Sequence, residues 1–112
     1  MSSLSLFADS SRVIAAQFDL ADLPDADSSE EERARAFRAM LIERIVELLS
    51  GNTERLMHIL YRVDVSEASV ATIFRDTPLP DIAPALADRI IERQMEKART
   101  RAEYRQRKDE DI

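Results

Sequence analysis

A single histidine, His58, and the absence of cysteine bound the chemistry open to this chain of 112 residues. Glu54 and His58 stand four residues apart, as do Glu43 and Glu47. Each pair therefore falls on one face of a helix, which is how helical bundles present imidazole and carboxylate to a metal. Such bundles repeat a Glu-x-x-His spacing on two helices, and that spacing is absent here. Arg44 and Arg55 beside these acids point to a solvated face instead. Lack of cysteine removes disulfides, thiolate zinc sites, iron–sulfur ligation and thiol nucleophiles. One glycine cannot build a phosphate-cradling loop, and no G-x-S-x-G elbow occurs. Asp64, flanked by Tyr61 and Arg62, is the best isolated polar candidate, and its type suits a turn better than a site. No catalytic, cofactor-binding or metal-ligating residue is expected, and the chain reads as a non-enzyme.

Binding chemistry is more visible. Arg89, Arg93, Lys97, Arg101 and Arg105 recur every four residues and so stack along one ridge of a helix. Residues 97–108 hold six bases against Glu103, with Tyr104 among them. Such a strip can dock an acidic protein, or a nucleic-acid backbone with Tyr104 stacking on a base. Glu92 and Glu96, three residues after Arg89 and Arg93, neutralise the start of the ridge by weak surface pairs. They do not reach its far end. The expected contact residues are Arg89, Arg93, Lys97, Arg101, Tyr104 and Arg105.

The elements that carry these residues follow from periodicity. Ser28 or Ser29 with Glu31 or Glu32 forms a capping box that starts a helix over 30–50. Its apolar positions Phe37, Leu41, Ile45 and Leu48 recur at helical spacing, with Met40, Ile42, Val46 and Leu49 widening the stripe into that of a central helix. Gly51 is expected to end it in left-handed geometry. Asn52 or Thr53 caps a second helix over 53–63 that turns Leu56, Ile59, Leu60 and Val63 inward. Asp64 breaks it, and Ser66 opens a third over 66–76 with Val70, Ile73 and Phe74 inward. Asp81 caps the longest, over 81–108, about 40 Å of helix, with Pro84 in its first turn. After Met95 its inward face carries only Ala98 and Ala102, so its end projects and offers a small-residue stripe to a neighbouring helix.

The stretch from Leu56 to Arg75 resembles the helix-turn-helix of bacterial repressors. Ile59, Val63, Val65, Val70 and Ile73 sit where that motif places apolar residues, and Val65-Ser66 falls where its second helix begins. The resemblance covers about a fifth of the chain and implies a DNA-reading helix after Asp64. This chain has bulky Leu60 where the motif wants a small residue, and Asp64 where it commonly has glycine. From Thr53 to Asp76, Arg55, Arg62 and Arg75 face Glu54, Asp64, Glu67 and Asp76, an acidic balance that a phosphate backbone repels. Charge therefore favours a packing joint.

The acidity of the chain, −6 in total, is concentrated in residues 1–32, where eight acids oppose Arg12. Residues 1–29 read as an acidic, partly ordered N-terminal arm, with a short helix near 11–18 suggested by Val13, Ile14 and Phe18. Residues 30–108 read as the helical domain and 109–112 as a frayed acidic end. No segment resembles a signal peptide or a membrane span, so a cytoplasmic location is expected. The expected architecture is all-α: a small four-helix bundle with a long projecting C-terminal helix. The expected function is that of an adaptor binding another protein, or a second copy of itself, through that helix; the alternative is a helix-turn-helix-like nucleic-acid-binding regulator.

Overall fold

The computed structural model describes residues 3–20 and 29–110. Among these the chain forms five helices and no strand: α1 (Ser3–Phe18), α2 (Glu30–Gly51), α3 (Thr53–Arg62), α4 (Glu67–Asp76) and α5 (Leu79–Glu110). The all-α class agrees with the periodicity, whereas the helix number does not. The additional helix is α1, which forms most of the segment expected to be an arm.

Leu6, Ser10, Ile14 and Phe18 recur every four residues along α1 and are all buried. Ser10 interrupts the apolar row, so the periodicity shows only the second half of α1, the short helix expected near 11–18. Its hydroxyl donates to the Leu6 carbonyl at 2.7 Å, so the polar atom is satisfied inside the helix and can enter the core at little cost. Phe7 meets Phe37 of α2 edge to face, with ring centroids 5.8 Å apart. Ile14, Ala15 and Phe18 of α1 therefore belong to the same core as α2, α3 and α5. The acidic stretch 21–28 lies outside the described residues.

The core is one cluster, with Phe18, Phe37, Leu41, Ile45, Leu56, Leu86 and Ile90 nearly inaccessible. Its centre is α5, touched by α1, α2 and α4, with α1 making the most extensive contact. The width of the α2 stripe pointed to α2 instead. What makes α5 central is the pairing of Ile82, Leu86 and Ile90 with buried Ala83 and Ala87, which lets helices approach from more than one side. On α4 no residue is fully buried; Val70, Ile73 and Phe74 are only half-covered.

Helix boundaries show why the chain bends where it does. Ser29 caps α2 by accepting from the Glu32 amide at 3.2 Å. Gly51 is not left-handed; it is the last residue of α2, and Asn52, at φ −157°, makes the reversal. The Asn52 amide donates to Leu48 while its side chain accepts from the Arg55 amide, so one residue closes α2 and opens α3. Left-handed geometry occurs at Asp19 and Asp64 instead, at φ 55° and 61°. At each, the next residue's amide reaches back five residues, Leu20 to Ala15 and Val65 to Leu60. Both are Schellman ends, with an apolar residue folded back after the Asp.

The last helix begins at Leu79, two residues before the expected Asp81 cap. Pro84 therefore lies beyond the first turn and cannot donate a backbone hydrogen bond to the Pro80 carbonyl. At the other end α5 continues through Asp109 to Glu110, where a frayed terminus was expected.

Two substitutions test this packing. Phe18→Ala should lower stability by about 3–5 kcal/mol in urea unfolding; an arm outside the core would leave the midpoint unchanged. Gly51→Ala should raise stability by about 0.5–1 kcal/mol, because the glycine is helical and nothing lies within 4 Å of an added Cβ.

Candidate functional site

The basic ridge expected along α5 divides into two parts of different character. Its first half is engaged within the molecule. Arg89 pairs with Glu92 at 3.4 Å and Glu96 at 3.7 Å. Arg93 turns toward the α3–α4 corner, where its Nε donates to the Asp64 carbonyl at 3.1 Å and its Nη2 to the Asp64 carboxylate at 2.8 Å. Lys97 reaches the same carboxylate at 3.6 Å. Arg93 and Lys97 thus hold the corner, while Arg89 is paired along its own helix.

Between Arg93 and Lys97 lies a residue that charge and apolar patterns both overlook. Gln94 is 3% exposed, and its Nε2 donates to the Val63 carbonyl at 2.7 Å. That carbonyl belongs to the end of α3, where helix geometry leaves acceptors without intrahelical partners. The corner is thus held by a buried neutral bond and an outer ionic one. The Asp64 side chain is 58% exposed, so solvent screens its ion pairs and the buried Gln94 bond carries more of the stability. Hydrogen bonding from Arg93, then the charges of Lys97 and Arg93, hold the Asp64 carboxyl below the usual carboxylate range.

The second half of the ridge is open. From Arg99 to Lys108 every residue except Ala102 is exposed. Arg101, Tyr104 and Arg105 lie here, with Tyr104 67% exposed. The described side chains from Arg99 to Lys108 make no ion pair. Ala98 is buried and Ala102 half-buried, so the small-residue stripe faces the core at its beginning.

The residues weighed for metal binding do not assemble. Among the described residues no three His, Asp or Glu side chains cluster to hold an ion. Glu47 pairs with Arg44 at 3.0 Å. Arg44 also donates to the Phe18 carbonyl at 3.0 Å, and Arg55 pairs with Asp19, so both arginines fasten the end of α1. His58 instead lines an apolar groove of about 520 Å³ between α3 and α4, with Met57, Tyr61, Val70 and Phe74. No described helix is long and apolar enough to cross a membrane. No protein-family model, curated protein or solved structure matches the chain.

Gln94→Met keeps the volume and removes the donor, and should cost about 1–3 kcal/mol in urea unfolding by leaving the buried Val63 carbonyl unpaired. Asp64 sets a pH dependence of definite sign. A depressed folded pKa contributes stability above the unfolded value, about 3.9, and that contribution is lost as pH falls through the folded value. Wild type should therefore be more stable than Asp64→Asn at neutral pH, with the difference vanishing in acid. A difference independent of pH would contradict the ionic tether.

Proposed function

We propose that this protein is a small non-enzymatic adaptor that binds another protein through the end of α5, which projects past the core. The observation that supports this is the helical run from Arg99 to Lys108, almost wholly exposed and without internal ion pairs. A helix segment of this length is marginal in water on its own. The run gains little from its own core, and its exposed arginines and Tyr104 are residue types enriched where proteins meet. Of the residues expected to touch a partner, Arg101, Tyr104 and Arg105 keep that role in this reading, while Arg93 and Lys97 hold the corner and Arg89 pairs along its own helix.

The nucleic-acid alternative has Tyr104 among arginines in its favour. The α3–α4 corner gives it little support. Arg75, the one base of α4, folds onto Asp76 at 3.0 Å. Ser69 is tied to the Ser66 cap through both its amide, at 3.1 Å, and its hydroxyl, at 2.8 Å. A helix so arranged offers Glu67 and Asp76 to a duplex without a free cation of its own.

Co-purification from the native cell tests the adaptor role. A bait carrying Arg101→Glu, Tyr104→Ala and Arg105→Glu should recover its protein partner at least about tenfold less than wild type, with an unchanged helical circular dichroism spectrum. Equal recovery by both baits would remove α5 from the contact, and salt-sensitive retention of nucleic acid alone would favour the alternative.

A further inference from the structure

Arg101, Tyr104, Arg105 and Lys108 stand at positions i, i+3, i+4 and i+7 and so share one face of α5, an arc of about 100°. Glu103, the one acid between residues 99 and 108, lies on the other side of the helix. The face is short. Asp109, Glu110 and Asp111 follow it directly in the sequence, and it offers fewer cations than the roughly 6–10 phosphate contacts typical of a DNA-binding surface. A brief acidic segment of protein matches it better than a long polyanion.

The chain itself carries such a segment. Glu30, Glu31 and Glu32 form the first turn of α2 and are all exposed. Asp22, Asp25 and Asp27 precede them in the sequence, and no base occurs between Arg12 and Arg33. Among the described residues no ion pair joins these glutamates to α5 of the same copy. Two basic faces of α5 would repel each other if apposed, whereas a basic face and an acidic turn attract.

We propose that the face formed by Arg101, Tyr104, Arg105 and Lys108 docks on the acidic start of α2, Glu30 to Glu32, of a second copy of this chain. Reciprocal exchange makes the contact twice and closes a two-fold dimer, because each copy presents both surfaces. Tyr104 supplies apolar area at the centre of the face and the cations set the orientation. The proposal rests on the adaptor reading and names the partner of that surface.

Charge exchange tests it, with mass measured by light scattering during gel filtration. Wild type at low ionic strength should show twice the chain mass of 12.8 kDa, and should revert to a single chain in about 1 M salt, where screening shortens to ~3 Å. Arg101→Glu with Arg105→Glu should be monomeric alone, as should Glu30→Arg with Glu31→Arg and Glu32→Arg. Mixed together, the two variants should restore the dimer, since each then meets the opposite sign at both contacts. A wild type that stays monomeric at low ionic strength, a dimer indifferent to both reversals, or a mixture that fails to associate would each overturn the proposal. If wild type is monomeric and the Arg101, Tyr104 and Arg105 bait still loses its co-purified partner, the adaptor reading stands and the second copy is excluded.

Discussion

Asp64 is held in left-handed geometry, and the arrangement of α3, α4 and α5 depends on that one residue. An L-residue enters this region at a cost, which short polar side chains tolerate better than most. The return is a closed helix end: Val65 folds back over α3, its amide satisfies the Leu60 carbonyl, and α4 leaves the corner in a new direction. Arg93 and Gln94 then grip the corner from α5 by its backbone carbonyls, at Asp64 and Val63. Because they hold backbone, the joint is fixed by hydrogen-bond geometry even though α4 buries no residue completely.

The same construction appears at the end of α1. Phe18-Asp19-Leu20 and Val63-Asp64-Val65 both place Asp between apolar neighbours, both reach left-handed φ, and both pair the Asp with an arginine from another helix. In each case the arginine also, or a neighbouring side chain, satisfies a carbonyl that the helix end would leave open: Arg44 at Phe18, Gln94 at Val63. Two corners of the fold are thus made by one physical solution, in which a backbone reversal is stabilised locally by its own hydrogen bonds and located globally by a cation.

Periodicity made much of the fold legible. The buried set of α2, Phe37, Leu41, Ile45 and Leu48, and that of α3 with its C-cap, Leu56, Ile59, Leu60 and Val63, agree with the apolar spacing. Ser29, Asn52 and Ser66 cap helices because their side-chain oxygens can meet free amides, a local property that sequence expresses directly. What stayed hidden depended on tertiary partners. Ser10 breaks the apolar row of α1 yet is buried, because its hydroxyl is satisfied one turn back. Gln94 stands in the buried row of Leu86, Ile90 and Ala98 as its one polar member, and only the approach of the α3 end shows what it binds. The ridge from Arg89 to Arg105 is uniform in sequence and divided in space, since Asp64 lies near its first half alone. The repeated apolar-Asp-apolar triplet at 18–20 and 63–65 was the signal that could have revealed both corners.

The contact between α1 and α5 joins the first helix of the described chain to its last, and it is the most extensive in the molecule. Leu6, Ile14 and Phe18 therefore have no finished binding surface until α5 exists. During translation, at roughly 5–20 residues per second, α1 leaves the ribosome seconds before its principal partner is synthesised. Its apolar face must therefore wait for α5 before its burial is complete, whatever transient contacts it makes in the meantime.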